Sequence, residues 1–357
     1  MSVPSRPLSR RPMLASVKVL DLSIWRPGPY ATSLLAQAGA DVLKVEPPGG
    51  DPMRHYPELF ESVNGAKRSI VLDLKDPADH ARALSLAGRA DVIVEGFRPG
   101  VMGRLGLDEP AVRLMNEGVV YCSISGYGQT GPLADLPGHD INYQAWAGSL
   151  APEGGTAAMP PLPVADLAAG MTAAFGICAA LIGRGVGGHG SYLDISMTDV
   201  LATWTGPPAT TRDSGGSDQS APGDSGPSRV PGYGIFTTAD GGQIALGVLN
   251  EQHFWVSLCR VLQLDALAVL PFDQRTARSD ELGRAVMAAI AGRDRDELVA
   301  TLMEAGVPVA PVLDRAALPN SPAYPMLPVF PIRRLLDGTE GTLSPAPALD
   351  AHAGQGW

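Results

Sequence analysis

The chain has 357 residues, of which 45% are apolar and 18% are charged, so it can bury a large core as one large domain or two smaller ones. A formal net charge of −10 argues against a nucleic-acid surface, because phosphate contacts need clustered Lys and Arg. The three cysteines form no CxxC pair, which argues against a zinc site or a disulfide framework and favours a reducing cytoplasm.

The beginning of the chain and its most apolar stretch predict neither a secretory signal nor a membrane span. Residues 1–15 carry three arginines and no long apolar run, so we expect a disordered arm. The longest apolar candidate, 167–182, is rich in Ala and Gly and shorter than the roughly 20 residues of a membrane-spanning helix. It predicts a buried helix of a protein that does not interact with membranes.

Short apolar strands alternate with helices through the first half of the chain. The strands are predicted at 17–22, 41–46, 69–74, 91–95 and 119–125, and the helices at 30–38 and 77–87. This alternation predicts an α/β fold with a Rossmann-like parallel sheet covered on both faces. Ligands of such sheets bind at the carboxyl ends of the strands.

The composition changes at 206–232, where Gly, Pro, Ser and Asp predict a linker or flexible loop. After it, strands at 233–238 and 243–248 flank a Gly-rich turn and predict a hairpin. Helices are predicted at 251–262, 279–291 and 294–304, before a last strand at 307–312.

The turn after the first strand, 24–30, does not fit a dinucleotide site. A strand–helix–strand unit that ends in an acidic residue, Glu46, has the layout of such a site. The turn, however, lacks the GxGxxG motif, and Pro27 and Pro29 remove two amide donors that a pyrophosphate needs. An NAD-dependent oxidoreductase is therefore disfavoured.

Several motifs occur in the order that a known family shows. They include LDLSIWRPGPYATSLLAQAGADVLKVEPPGGDPMR (20–54), NGAKRSIVLDLK (64–75), ADVIVEGFRPGVMGRLGL (90–107), PVADLAAGMTAAFGICAAL (163–181) and GSYLDISMTDVL (190–201). Together they resemble the family III CoA-transferase superfamily (CaiB/BaiF type), which also contains the α-methylacyl-CoA racemases. The resemblance covers about residues 17–201 well and is looser at 238–255 and 306–318.

The resemblance implies a domain organisation that composition alone does not give. We expect a disordered arm (1–15), a large α/β CoA-binding domain (16–205), the linker (206–232), a small α+β domain (233–318) and a C-terminal segment (319–357) that returns to the large domain. Two chains are expected to interlock as a homodimer. The Pro/Gly-rich tail departs from the family pattern and makes full activity an open question.

Asp166 has two interpretations. On the residues alone it is a helix N-cap, because Asp is among the best capping residues. The resemblance implies a catalytic residue, which attacks the thioester and forms a mixed anhydride in transferases, or exchanges a proton next to the carbonyl in racemases. The helix N-terminus is expected to keep the carboxylate ionised.

His139 and Glu251 complete the candidate catalytic set. A lone His such as His139 is more often structural, but the string GHDINY (138–143) resembles the racemase branch, where this His is the second base. Glu251 is a helix-start acid on the residues alone, and the resemblance implies a carboxylate that orients the catalytic His. We interpret Asp140 as a residue that holds the local turn.

The candidate CoA-binding residues are Lys67, Phe97, Arg98 and Arg104. Coenzyme A needs cations for its phosphates and an apolar or aromatic surface for its adenine. On the residues alone, most such cations are simply solvated. The resemblance implies CoA contacts for this set, and Gly96 stands where transferases usually have Asn, which favours the racemase branch.

The leading hypothesis is a 2-methylacyl-CoA racemase in which His139 and Asp166 exchange protons at C2, with enolate donors from the turn at 126–131. The first alternative is transfer of CoA between carboxylic acids with Asp166 as nucleophile, for which the loop at 214–227 could serve as a lid. A non-catalytic acyl-CoA-binding protein is the second. The partners expected are an acyl-CoA substrate and a second copy of the chain. No metal is expected, and no dissociable cofactor beyond the CoA of the substrate.

Overall fold

The computed structural model describes residues 12–150, 159–205 and 230–314, which form two compact units. The first unit comprises 12–150 and 159–205, and the second comprises 230–314. Residues 12–15, predicted as the end of the arm, form a turn in which the Leu14 N–H donates to the Ala38 carbonyl at 3.1 Å. The rest of the arm, most of the linker and the predicted return segment lie outside the described residues.

The first unit contains a six-stranded, fully parallel sheet in the order β3-β2-β1-β4-β5-β6. Its strands are β1 (Lys18–Leu22), β2 (Asp41–Glu46), β3 (Arg68–Val71), β4 (Val92–Glu95), β5 (Val120–Ser125) and β6 (Ser191–Ser196). This is the strand order of doubly wound dinucleotide-binding folds. The predicted Rossmann-like sheet is therefore confirmed, although no strand was predicted at β6.

Helices cover both faces of this sheet. They are α1 (Pro27–Gln37), α2 (Pro57–Asn64), α3 (Pro77–Ala87), α4 (Val101–Arg104), α5 (Glu109–Arg113), α6 (Asp140–Trp146), α7 (Val164–Gly187) and α8 (Met197–Trp204), with a 3₁₀ turn at Pro52–His55. Successive strand residues point to opposite faces, so Val19 enters the core under α1 and α7, and Leu20 enters the core under α3. The carboxyl ends of the strands meet at one edge between these layers.

Helix α7 is longer and less buried than predicted. Its small residues pack against α1, and at Gly170 a Cβ would lie 2.7 Å from the Pro27 carbonyl oxygen. The opposite side is exposed at Met171, Phe175 and Ile182, so the prediction of a buried helix was wrong for that side. Among the described residues, α7 is the one helix long and apolar enough to cross a membrane, a test that core helices of soluble proteins also pass.

The second unit is a small α+β structure, as predicted. Strands β7 (Tyr233–Thr237), β8 (Gln243–Gly247) and β9 (Val309–Pro311) form an antiparallel sheet in that order. Its helices are α9 (Gln252–Val261), α10 (Phe272–Ala277), α11 (Ser279–Ala291) and α12 (Arg295–Glu304), with a 3₁₀ turn at Asp265–Leu267. A separate apolar core, which includes Trp255, Leu282 and Leu298, holds this unit together.

Candidate active site at the carboxyl edge of the parallel sheet

Asp166 is the third residue of α7, and Pro163 rather than Asp166 is the N-cap. The capping interpretation was therefore wrong. The side chain is half-buried, and within the described residues its oxygens have no hydrogen-bond or ion-pair partner. Asp166 is thus a carboxyl with its lone pairs available.

The pKa of Asp166 is raised to about 7 by burial and by the nearby Asp140 carboxylate, and the Arg26 guanidinium opposes these effects only in part. From the sequence, the helix N-terminus is expected to keep this carboxyl ionised. Burial and a second carboxylate outweigh that effect, so the group titrates near neutral pH.

Asp140 joins the N-terminal ends of α6 and α7. Its Oδ1 accepts the backbone N–H of Asp166 at 3.1 Å, and its Oδ2 accepts a hydrogen bond from the Gln144 amide at 2.5 Å. Asp140, which the sequence predicts to hold the local turn, therefore also positions the start of α7. Its charge is one cause of the raised pKa of Asp166.

Tyr143 fills the space beside these carboxyls. Its hydroxyl donates to the Gly138 carbonyl at 2.5 Å, and its ring meets the Tyr127 ring edge-on with centroids 5.2 Å apart. A Cβ at Gly126 would lie 2.3 Å from the Tyr143 ring, so only glycine fits there. Burial, together with the field of Tyr127 and Asp166, raises the pKa of Tyr143 to about 12.

Arg26 lies in the loop between β1 and α1, close enough to Asp166 to act on it through its charge. It is the residue directly before α1, its side chain is half-buried, and its positive charge lowers the pKa of Asp166. The preceding residue, Trp25, is exposed and has a left-handed backbone conformation with φ of 61°. Residues other than glycine rarely adopt this backbone conformation outside functional or strained sites.

The turn at 126–131 was predicted to supply backbone donors for an enolate. The Gln129 N–H instead donates to both carboxylate oxygens of Asp194, at 3.2 and 3.0 Å. The Gly126 carbonyl accepts the Thr198 N–H at 3.0 Å and its hydroxyl at 2.8 Å. These hydrogen bonds connect the turn to β6 and α8. The backbone N–H of Gln129 is therefore already bonded and is not available to an enolate.

The structure places His139 beside the site and Glu251 in the other unit. His139 is the exposed N-cap of α6, and its backbone N–H donates to Asn142 Oδ1 at 3.0 Å. Glu251 is the N-cap of α9, and its carboxylate accepts the Leu249 N–H at 3.2 Å near the buried Arg275. The predicted role of Glu251 toward His139 stays a prediction.

Three of the predicted CoA residues lie around the end of β4. Phe97 is half-buried against the core, while Arg98 and Arg104 are exposed. Arg98 lines an open pocket of about 300 Å³ together with Glu95 and Gln129. Within the described residues, the buried Gln129 Nε2 has no hydrogen-bond partner. The pocket offers donors to a ligand, and the CoA roles of these residues stay predictions.

Glu95 is a buried carboxyl in this pocket that sequence reasoning missed. It accepts the Phe97 N–H at 2.8 Å and a hydrogen bond from Ser123. Burial raises its pKa to about 7, against these hydrogen bonds. The sequence feature that could have identified Glu95 is an acidic residue at the end of a strand, directly before the Gly–Phe–Arg turn.

The fourth predicted CoA residue, Lys67, is buried in an ion pair with Asp21. Its Nζ donates to Asp21 Oδ2 at 3.0 Å, to the Pro29 carbonyl at 2.9 Å and to Asn64 Oδ1 at 2.8 Å. An ammonium has three hydrogens, so none remains for a phosphate. A role of Lys67 toward CoA stays untested, and this geometry favours a structural role.

Comparison with known proteins gives one family. A model of CoA-transferase family III matches residues 14–329. The acetyl-CoA:oxalate CoA-transferase of Acetobacter aceti is 33% identical, covering 92% of this chain and 86% of its own length. Human alpha-methylacyl-CoA racemase is 34% identical, covering 68% of this chain and 63% of its own length. A solved CAIB/BAIF family protein from Brucella suis superposes with a TM-score of 0.80 at 25% identity, over 96% of this chain and 97% of that one.

Proposed function

The chain belongs to CoA-transferase family III, and we propose that it transfers coenzyme A from an acyl-CoA thioester to a free carboxylic acid with Asp166 as the nucleophile. The half-buried Asp166 carboxyl, without a partner among the described residues, carries this proposal. A nucleophile needs an oxygen that is available to the substrate, and a carboxylate without a bound cation keeps both of its oxygens available.

The reaction balances without a further reactant. An Asp166 oxygen attacks the thioester carbonyl, the C–S bond breaks and the CoA thiolate leaves, which gives a mixed anhydride. The thiolate then attacks the Asp166 carbonyl carbon, releases the donor acid and leaves Asp166 as a CoA thioester. The acceptor carboxylate repeats the two steps in reverse and leaves as its CoA thioester, and Asp166 is restored.

The comparisons support transfer more than racemisation. The transferase relative aligns with 92% of this chain and the racemase relative with 68%. The transferase relative's name pairs acetyl-CoA with oxalate, a carboxylic acid acceptor. The chemistry also needs one reactive side chain, Asp166, whereas racemisation needs a base on each face of C2.

Racemisation at C2 is the second candidate function. Two observations favour it: a carboxyl whose pKa is about 7 is well suited to proton exchange, and His139 lies next to Asp140, which binds the Asp166 amide. In this reaction the thioester stays intact and a proton is exchanged through an enolate.

One experiment separates the two functions. The protein is incubated with a 2-methylacyl-CoA in deuterated water, with and without a panel of free carboxylic acids. Transfer predicts that new thioesters form only when an acid is added and that no deuterium appears at C2. Asp166→Asn is expected to abolish the formation of these thioesters, and His139→Ala is expected to reduce it far less. Deuterium at C2 that requires His139, with no new thioester, would reject transfer in favour of racemisation.

We further propose that CoA binds near the end of β4 through Phe97, Arg98 and Arg104, and that the chain assembles as a homodimer. The exposed apolar side of α7, with Phe175 and Ile182, supports the second proposal because large apolar surfaces of a stable protein are usually covered. Sedimentation at micromolar concentration is expected to give a dimer, and Phe175→Asp is expected to weaken it. A monomer near 37.1 kDa for the unmodified chain would reject the dimer.

A further inference from the structure

Arg26 is a half-buried cation near the candidate nucleophile. It lies where α1 begins, and the next residue, Pro27, packs with its carbonyl oxygen against Gly170 of α7, one turn after Asp166. Two helices therefore hold the backbone at Arg26 close to the first turn of α7.

The guanidinium has no hydrogen-bond or ion-pair partner within residues 12–150, 159–205 and 230–314. It acts on Asp166 through its charge, yet the two do not form an ion pair. Two other half-buried arginines of this unit bind carboxylates, since Arg54 binds Glu46 through two bonds of 2.7 Å and Arg184 binds Asp91 at 2.9 Å. Arg26 therefore keeps its planar set of donors for another group.

The loop that carries Arg26 is also strained. Trp25 has a φ of 61°, a conformation that costs of order 1–3 kcal/mol for a residue with a side chain. Such outliers cluster at ligand-binding sites because the surrounding structure maintains them for function.

We propose that Arg26 binds a second carboxylate on the substrate, so that the acids exchanged at Asp166 are short dicarboxylates. The inference rests on the proposed function. One carboxyl group of the acid reacts at Asp166, and the other pairs with Arg26, whose fork of N–H donors matches a carboxylate. The acid is thereby oriented with its reacting carbon at the nucleophile.

Binding is tested with analogues that cannot transfer their acyl group, in which a methylene separates the CoA sulfur from the carbonyl carbon. Three pairs match in length and differ by one carboxylate: malonyl and propanoyl, succinyl and butanoyl, and glutaryl and pentanoyl. Calorimetry on the unmodified protein is expected to give about 10- to 100-fold tighter binding of the dicarboxylic member in at least one pair, because a charge-assisted hydrogen bond is lost in the other.

Arg26→Gln is expected to remove this preference while leaving the affinity for the monocarboxylic member and for free CoA unchanged. Arg26→Lys keeps the charge without the fork and is expected to keep a reduced preference. Arg89→Gln, at an exposed arginine outside the site, is the matched control and is expected to keep the full preference. Thermal unfolding of each variant verifies that it is folded.

No preference in any pair, a preference that survives Arg26→Gln, or an equal loss for both members and for free CoA would each overturn the proposal. These results do not depend on transfer. Assaying the natural thioesters of the same six acids separately tests the proposed function, because failure of all transfer would reject it whatever the binding preference is.

Discussion

Two groups of buried or half-buried carboxyls lie along the same edge of the parallel sheet, and they differ in whether a cation binds them. At the ends of β1 and β2, Asp21 is bound by Lys67, and Glu46 is bound by Arg54. Near the end of β4 and the start of α7, Glu95 and Asp166 have no bound cation among the described residues.

The pKa values follow this difference. Burial alone would raise the pKa of Asp21, but Lys67, Lys44 and hydrogen bonds from Ser23 and Thr32 hold it well below its usual range. Burial raises the pKa of Glu95 to about 7, and burial together with the Asp140 charge raises the pKa of Asp166 to about 7, since the charge of Arg26 offsets these effects only in part. Paired carboxyls thus stabilise the fold, and unpaired ones remain able to react or to exchange protons.

Breaking the paired group should have the largest effect. Lys67→Met leaves Asp21 buried without its cation, and we expect the free energy of unfolding in urea to fall by about 3–5 kcal/mol. The neighbouring Arg68→Met breaks an exposed pair with Asp41 and should cost at most about 1 kcal/mol. If Lys67→Met unfolds like the unmodified protein but loses affinity for CoA, the structural role of Lys67 is wrong.

Removing a charge from the unpaired group should raise the stability of the fold instead of lowering it. The folded-state pKa of Asp166 is raised, so the folded protein binds more protons than the unfolded chain between about pH 4 and 7, and stability falls as pH rises through that window. Asp166→Asn removes this penalty. We therefore expect a higher melting temperature than that of the unmodified protein at pH 8, with the difference narrowing towards pH 4.

Asp21→Asn provides the matching measurement, because the pKa of that carboxyl is lowered and its charge stabilises the fold. This variant should melt at a lower temperature at pH 8. A shift of the same sign for both asparagine variants would show that the two groups of carboxyls do not differ in the way described.

The smallest effect is expected from Asp140→Asn, which changes the charge beside Asp166 but keeps an oxygen for the Asp166 amide. The pKa of Asp166 should fall, and the acidic limb of the rate–pH profile should move to lower pH by up to about one unit. Asp135→Asn removes a charge from an exposed position in the loop before α6 and should leave the profile unchanged. An unchanged profile for Asp140→Asn would mean that the Asp140 charge does not contribute to this pKa.

The sequence predicted the fold well where local signals are strong. Both ends of α3 and of α11 were predicted to the residue, and for α3 an Asp76 cap, Pro77 and Gly88 mark the ends. Strand β6 was missed because it is a partly exposed edge strand without a continuous apolar run. The short helices α2, α4, α5, α6, α8 and α10 were missed because each has eight residues or fewer, which leaves little periodicity to recognise.

For the candidate site, the sequence and the family resemblance gave the residue types but not their contacts. Asp140 and Arg26 are distant from Asp166 in the chain, and only the packing of α1, α6 and α7 brings them together. Lys67 was predicted to contact CoA, because nothing in its local sequence shows that its ammonium pairs with the Asp21 carboxylate. Pairing between distant charges is a property of the fold, so local patterns do not contain it.

The most direct test of the account is to trap Asp166 during a single turnover. The protein is mixed with excess acyl-CoA, treated with hydroxylamine and digested, and the peptide that carries Asp166 is weighed by mass spectrometry. We expect the hydroxamate of Asp166, formed from its anhydride or CoA thioester, and no such product with Asp166→Asn. An unmodified Asp166 peptide, together with deuterium exchange at C2 of the same acyl-CoA, would contradict the nucleophilic role.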